Sequence, residues 1–425
     1  MINAVRGIIQ RLQSGSAGWA LIDQGLASGV TFLTGVLVAR LLGPEQFGVF
    51  GLLFMVILFF NSAQYSLIAS PMMSIAPQLE GEEQTEFLSA QGSAAFVLIG
   101  LSVVLTLLAG EALSAFKPEW SFKAYTWPLV AAVASIQTQE FYRRLFFTAG
   151  QPKRAGVSAA WRYGLQLSGL IVLYQMQIAE LDVILWLMAG SAMSSGVIAH
   201  LQQPTLGYNT KSLKRFARRS WTSGRWIFGS TLLQWMTGNY FAVVAGALVG
   251  PIAVGALRAT QQLLAPVQVV TLAATNVIPI AAAKRLSQGG TKAMNLFLWK
   301  VGVAGGIATA LIGIILTIGG DFWLVLVFGP KFAGFGYLIP WLSGAMLIFY
   351  WEIPLQAGLR ALEDTRALFW GYLVAAVLSL GIAHALVQAK GTEGAAIGIM
   401  FSHVIFAATQ LLGLYLACRN RNAKP

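Results

Sequence analysis

The chain is built largely from apolar runs of about twenty residues, separated by short polar linkers. A helix needs roughly 20 mainly apolar residues to cross the hydrocarbon core of a bilayer. We place such runs at 18–39, 47–77, 91–115, 124–148, 156–176, 181–203, 226–248, 252–283, 294–318, 337–359, 367–388 and 394–417. The pattern predicts an all-α integral membrane protein with about twelve transmembrane helices. The second and eighth runs are longer than a span requires, so we expect them to tilt, kink or protrude.

Composition excludes a soluble protein. The 425 residues are 56% hydrophobic and 10% charged, whereas a soluble domain carries roughly 25% charged residues. The net charge of +12 does not indicate nucleic-acid binding, because the basic residues lie between apolar runs. Cys418 is the only cysteine, which excludes an intramolecular disulfide and a cysteine-based metal cluster. We expect no cofactor and no metal, and we expect the first run to be a retained helix rather than a signal peptide.

The distribution of Lys and Arg predicts the orientation. Twenty of the 28 lie at the two ends and in or next to every second linker, and five lie in or next to the alternate linkers. Cytoplasmic segments carry the excess of basic residues. We therefore expect a multi-pass protein of the bacterial inner membrane with both termini in the cytoplasm. The remaining three, Arg162, Arg258 and Lys300, lie within runs.

Five segments follow from this pattern. Residues 1–17 carry apolar side chains at helical spacing, which favours an amphipathic cytoplasmic helix on the membrane surface; a frayed tail is the alternative. Residues 18–206 and 226–418 would form two six-helix bundles. A basic cytoplasmic linker, 207–225, would join them, and 419–425 would form a cytoplasmic tail.

The two halves share a short internal repeat. Moving residues 19–48 forward by 207 positions gives seven identities, including the pattern G-P-x-x-x-G at Gly43–Gly48 and Gly250–Gly255. In both copies we expect a tight turn between two helices, where Gly adopts a positive φ and Pro begins the next helix. Six helices per half return the chain to the same side, so the repeats should be parallel.

The segment Val38–Val49, with the sequence VARLLGPEQFGV, resembles the first-hairpin signature of the polysaccharide-lipid flippases. These form the Wzx-type branch of the multidrug/oligosaccharidyl-lipid/polysaccharide (MOP) exporter superfamily. The polar turns at 149–154 and 361–366 are also similar to connections in that family.

The resemblance implies a transporter that flips an undecaprenyl-pyrophosphate-linked oligosaccharide across the inner membrane for O-antigen, exopolysaccharide or capsule synthesis. It implies two six-helix bundles around a V-shaped central cavity that opens alternately to each side. Its expected partners are the lipid-linked oligosaccharide, membrane lipids, a proton or sodium ion for coupling, and other polysaccharide-assembly membrane proteins.

Charged side chains within the bilayer are costly, so they should face protein or a wet cavity. Arg258, with Arg162 and Lys300, could donate to a pyrophosphate. A salt bridge to Glu140, Glu352 or Asp23 is the alternative for these cations. Arg40 belongs to the signature, but it lies at a helix end, where snorkelling or capping is the favoured role.

The buried acids Asp23, Glu140 and Glu352 could bind a coupling proton or cation. The alternative is pairing with nearby arginines, and for Glu140 we favour pairing with Arg143 or Arg144 one turn away. His403 could titrate near neutrality, although a hydrogen-bonded packing role is favoured.

Several motifs are missing from the sequence: G-x-x-x-x-G-K-[ST], H-E-x-x-H and G-x-S-x-G. The linkers are too short to hold a catalytic domain, so we do not expect an enzyme. A cation-coupled multidrug antiporter of the same superfamily remains an alternative, and an acidic cavity would favour it. A membrane glycosyl-transfer enzyme is a further alternative, but no acid or base in a large outer loop supports it.

Overall fold

The computed structural model describes residues 15–116, 122–203, 210–364 and 366–422. These residues form thirteen α-helices, and no strand occurs among them. The helices are α1 Gly15–Leu42, α2 Pro44–Gln64, α3 Ser70–Ile75, α4 Gly81–Phe116, α5 Phe122–Thr148, α6 Pro152–Gln175, α7 Leu181–Leu201, α8 Thr210–Leu248, α9 Pro251–Leu263, α10 Ala265–Ile318, α11 Gly320–Phe328, α12 Ile339–Ala361 and α13 Arg366–Asn422. The predicted all-α class is confirmed. Most of the predicted amphipathic segment 1–17 and the end of the tail lie outside the described residues.

The long helices change direction at identifiable residues. Helix α10 is interrupted at Gly289 and Gly290, and α13 at Gly391; Gly290 and Gly391 have φ of 68° and 57°. The run 47–77 leaves α2 through a π-helical turn at Tyr65–Ala69 and ends in a 3-10 turn at Ala76–Gln78. The run 252–283 is interrupted at Leu264, between α9 and α10. Neither overlong run is therefore one uninterrupted α-helix.

Within the residues that the structure describes, seven segments are long and apolar enough to cross a membrane by length and composition. Two of them, of 54 and 56 residues, contain the glycine interruptions of α10 and α13. Helices α5 and α6 are not among the seven; both carry polar and charged side chains. The number of twelve transmembrane helices stays a prediction.

The chain divides by packing into two compact units. Unit 1 contains residues up to Leu42 and the segment Leu53–Thr231, and unit 2 contains Gly43–Leu52 and the segment from Leu232 onward. The first hairpin therefore contributes its turn and the start of α2 to unit 2. The basic first half of α8 belongs to unit 1.

In unit 1, α1 packs along α6, and α5 packs against α4 and α7. Short polar side chains join these helices. The hydroxyls of Ser158 and Ser195 lie 2.9 Å apart between α6 and α7, and the Gln166 amide donates to the Thr34 hydroxyl at 2.9 Å. Such hydrogen bonds between helices are a common means of association in lipid, where apolar surface alone gives no preference for protein.

In unit 2, α12 packs between α10 and α13. Two α10 glycines admit aromatic rings from α12: Gly302 faces the Trp351 ring and Gly305 faces the Tyr350 ring. The Tyr350 hydroxyl donates to the backbone carbonyl of Val301 at 3.1 Å. The glycines let the two helices approach closely enough to bury Tyr350, which is 4% exposed.

The two G-P-x-x-x-G copies adopt the predicted turns. Gly43 and Gly250 have φ of +79° and +111°, which glycine adopts at no steric cost. Pro44 begins α2 and Pro251 begins α9.

The start of α2 and α9 then meet at the last glycine of each copy. A Cβ on Gly48 would overlap the carbonyl oxygen of Pro251, and a Cβ on Gly255 would overlap that of Pro44. The contact is reciprocal: equivalent residues of the two copies exchange equivalent neighbours. Gly is therefore required at both positions for steric reasons, which accounts for its place in the repeat.

Candidate functional site

Unit 1 contains a buried arginine–carboxylate cluster, formed by Asp23 of α1, Glu140, Arg143 and Arg144 of α5, and Arg162 of α6. Arg143 bridges the two acids: one terminal nitrogen donates to Asp23 and the other donates to Glu140 at 2.7 Å. Arg162 donates to Glu140 at 3.2 Å, and Arg144 lies 3.9 Å from the same carboxylate. Glu140 thus pairs with both arginines that its helical spacing predicts.

The cluster accounts for three of the candidate residues, Asp23, Glu140 and Arg162. Arg162 donates a further hydrogen bond to the Gln139 side-chain oxygen at 2.6 Å. Asp23 Oδ1 and Arg162 Nε are buried without a hydrogen-bond partner among the described residues. Each carboxylate here lies next to a guanidinium that is always charged, so both carboxylates of the cluster are neutralised.

Arg258 of α9 has a different environment. One terminal nitrogen donates to the side-chain oxygen of Asn239 on α8 at 2.7 Å, and the other donates to that of Gln261 at 3.3 Å. Asn239 is oriented in turn, because its amide nitrogen donates to the Trp235 carbonyl at 3.0 Å. Among the described residues of unit 2, no carboxylate forms an ion pair with Arg258. Its charge is therefore held by neutral amides.

Arg258 is half-buried beside the start of α2. A Cβ on Gly51 would lie 3.3 Å from Cγ of Arg258 and 3.5 Å from the Val254 side chain. The aliphatic part of Arg258 thus lies over Gly51 of α2, two residues after the recognised segment. Gly51 and Arg258 both belong to unit 2.

The third candidate acid, Glu352 of α12, pairs with a histidine. Glu352 is 2% exposed, and its Oε1 lies 2.8 Å from Nδ1 of His403 on α13. The His403 ring makes an edge contact with Phe349, with centroids 5.5 Å apart. No arginine or lysine forms an ion pair with Glu352 among the described residues.

The other two candidate cations are exposed. Arg40 lies in the last turn of α1, and Lys300 lies on α10. The structure therefore brings Asp23, Glu140 and Arg162 together in unit 1, while Arg258 and Glu352 belong to unit 2.

Sequence reasoning missed the bridging position of Arg143 and the role of Asn239. Arg143 appeared only as a helical neighbour of Glu140, and its contact with Asp23 spans 120 positions of the chain. No sequence signal identified Asn239. In the described part of the chain, no group of three or more His, Cys, Asp or Glu side chains could hold a metal ion.

Known folds and families match this chain over most of its length. An inward-facing multidrug resistance MATE transporter of the MOP superfamily is 15% identical, with a TM-score of 0.64 over 95% of this chain and 96% of that one. The lipid II flippase MurJ, in an inward closed conformation, is 12% identical, with a TM-score of 0.67 over 94% of this chain and 88% of that one. A MOP-superfamily transporter from Pyrococcus furiosus is 14% identical, with a TM-score of 0.59 over 95% of this chain and 94% of that one. No curated protein sequence matches significantly.

At these identities the likeness shows a shared fold. A model of the family described as polysaccharide biosynthesis protein matches residues 15–284, well over half of the chain. That match covers the first hairpin, the arginine–carboxylate cluster and Arg258. The resemblance predicted from Val38–Val49 is confirmed. The chain is a membrane protein with the MOP-transporter fold, and it belongs to the polysaccharide biosynthesis protein family.

Proposed function

We propose that this protein flips an undecaprenyl-pyrophosphate-linked oligosaccharide across the bacterial inner membrane, by alternating access, for polysaccharide synthesis. The family description supports a role in polysaccharide assembly. The fold is shared with transporters and with a protein named as a lipid II flippase, which supports transport rather than enzymatic catalysis. The choice of an anionic cargo rests on the environment of Arg258, whose described hydrogen bonds go to neutral amides.

Arg258 is suited to a phosphate group by its chemistry and by its surroundings. A guanidinium offers several N–H donors in a plane and can contact two phosphate oxygens at once. A permanent charge within the bilayer costs about 2.5–3.5 kcal/mol on insertion scales. The amides of Asn239 and Gln261 accept hydrogen bonds from Arg258 but carry no negative charge. The charge of Arg258 therefore remains available to a pyrophosphate.

The cations of unit 1 are less suited to this role. Arg143 and Arg162 already donate to carboxylates, and a cargo would have to displace those contacts. Among the candidate cations, we therefore place the pyrophosphate at Arg258, with Lys300 and Arg40 as exposed residues outside the primary contact. Acids neutralised by arginine also disfavour the alternative of cation-coupled drug export.

We also propose that both termini lie in the cytoplasm, since the Lys and Arg distribution supports this orientation. In that arrangement the Gly48–Gly255 contact lies towards the periplasmic side. The cargo lipid and the surrounding membrane lipids are the expected partners.

Complementation of a flippase-null strain tests the cargo assignment. Arg258→Ala should abolish saccharide export at normal membrane abundance, because the mutant offers no charge to the pyrophosphate. Arg258→Lys should restore export only in part, because an ammonium cannot reproduce the two-pronged contact. Membrane abundance is quantified by immunoblotting in parallel.

Arg360→Ala is the matched control. Arg360 is an exposed arginine of unit 2 whose described hydrogen bond is also to an amide, Gln356 at 3.4 Å. This variant should export normally. Normal export by Arg258→Ala, or loss of export only through loss of the protein, would contradict the assignment of Arg258 to cargo.

A further inference from the structure

Glu352 differs from the other two candidate acids in the partner that neutralises it. Asp23 and Glu140 lie next to arginines, which stay charged at any physiological pH. Glu352 lies next to His403, whose imidazole carries a charge only when it is protonated. The net charge of the Glu352–His403 pair therefore depends on whether the pair holds a proton.

The surroundings of the pair offer no permanent countercharge. On α13, Tyr372 interacts electrostatically with Glu352, and its hydroxyl accepts a hydrogen bond from Gln234 of α8 at 3.2 Å. On α12 itself, Tyr350 is turned to α10, where its hydroxyl bonds the Val301 carbonyl. Neither tyrosine carries a charge near neutrality.

The nearby cations are also accounted for. Arg360 follows Glu352 by two helical turns on α12, is exposed, and bonds Gln356. Lys300 of α10 is exposed and forms no ion pair with Glu352, and Arg258 of α9 bonds Asn239 and Gln261. Within the described residues of unit 2, the imidazole of His403 is thus the only basic partner of the carboxylate.

A buried carboxylate in this position has a simple route to neutrality. An isolated buried charge is disfavoured, and such a group neutralises itself by binding a proton when no countercharge is present. One proton bound by Glu352 gives an uncharged pair of carboxylic acid and imidazole, which leaves no charge in the buried site. Loss of that proton leaves a net charge of −1 in a buried site, which is costly in free energy. Proton release is therefore favoured only when the site becomes more polar, for example when it opens to water.

We propose that Glu352 and His403 form a proton-binding site that couples proton movement to transport, and that Asp23 and Glu140 do not serve this purpose. The proposal rests on the transport function proposed above. A proton fits the site better than sodium, because hard metal cations prefer several oxygen ligands and the partner here is a ring nitrogen. Proton binding converts the carboxylate into a carboxylic acid without any other bond change.

Infrared spectroscopy of the purified protein in lipid nanodiscs tests the site without cargo. A protonated carboxylic acid absorbs at a carbonyl-stretching frequency distinct from that of a carboxylate. A pH titration of the wild type should show one buried carboxyl signal that is present at low pH and absent at high pH. Glu352→Gln should remove this signal. Absence of the signal from the wild type, or its persistence in Glu352→Gln, would overturn the proposal.

Two variants complete the experiment. His403→Gln should raise the midpoint of the carboxyl signal by about one pH unit, because it removes a neighbouring group that favours the charged carboxylate. If Glu352→Gln fails to fold, the titration of His403→Gln tests the proposal instead. An unshifted midpoint in His403→Gln would contradict the pairing of Glu352 with His403. The control is Glu393→Gln, a half-buried acid that accepts a hydrogen bond from Trp341 at 3.1 Å, which should leave the Glu352 signal unchanged.

The readout is independent of the cargo assignment. If Arg258→Ala exports normally while the Glu352 signal behaves as expected, the cargo site fails and the proton site stands. If the signal is absent while Arg258→Ala abolishes export, the proton site fails and the cargo site stands.

Discussion

The two units treat buried charge in different ways. In unit 1, Asp23 and Glu140 share the guanidinium of Arg143, and Arg162 pairs with Glu140. In unit 2, Arg258 bonds only amides among its described contacts, and Glu352 bonds a histidine. The same residue types occur in both units. Among the described members of these sites, the acids of unit 1 pair with permanently charged arginines, whereas Arg258 contacts amides and Glu352 contacts a histidine.

This difference separates structural charges from charges available for function. Breaking a buried ion pair by removing one partner is strongly destabilising, because the other charge remains in a medium of low polarity. When a charged side chain contacts only neutral groups, its removal leaves no opposite charge buried without a partner. We therefore expect substitutions in the unit 1 cluster to reduce stability, and substitutions at Arg258 to reduce transport.

The largest expected effect on stability is at Arg143. Arg143→Ala leaves Asp23 and Glu140 with fewer counterions, and we expect it to destabilise the protein by about 3–5 kcal/mol. The measurement is thermal unfolding in detergent, compared with Arg258→Ala. A larger loss of stability from Arg258→Ala than from Arg143→Ala would break the comparison between the units.

Arg144→Ala is the control for this prediction. Arg144 lies on the same helix, but its side chain is 32% exposed and its nitrogen is 3.9 Å from Glu140. Partly exposed pairs of this kind contribute about 0–1 kcal/mol, so this variant should unfold close to the wild type.

A smaller effect is expected at the crossing of the two repeat copies in unit 2. Gly255→Ala adds a methyl group where a Cβ would overlap the Pro44 carbonyl. We expect a loss of about 1–3 kcal/mol, the usual cost of overpacking, measured as lower thermal stability. Gly229→Ala on α8 is the control, because no atom lies within 4 Å of its added Cβ. Equal stability of the two variants would contradict the close crossing.

The sequence predicts the fold well because its strongest signals are local. Apolar run length, glycine and proline at the turns, and the repeated G-P-x-x-x-G each act within a few residues of the chain. The turns at Gly43 and Gly250 follow from these signals. The reciprocal contact of Gly48 and Gly255 does not, because it joins positions that are 207 residues apart.

The candidate site is only partly predictable for the same reason. The spacing of Glu140, Arg143 and Arg144 on one helix predicts their pairing. The partners of Asp23, Arg258 and Glu352 come from other helices, so the sequence left those alternatives open. Whether a buried arginine meets a carboxylate or an amide depends on helix packing, and this choice separates a structural role from a functional one.

The central claim is that Arg258 is available to a pyrophosphate while the unit 1 arginines are not. Binding of undecaprenyl pyrophosphate to the purified protein in nanodiscs tests it most directly, with undecaprenyl monophosphate as the reference ligand. We expect the wild type to prefer the pyrophosphate, and we expect Arg258→Ala to weaken its binding by about tenfold or more, which corresponds to about 1.4 kcal/mol. Arg162→Gln should bind it as the wild type does. Unchanged binding in Arg258→Ala, or an equal loss in Arg162→Gln, would contradict the account.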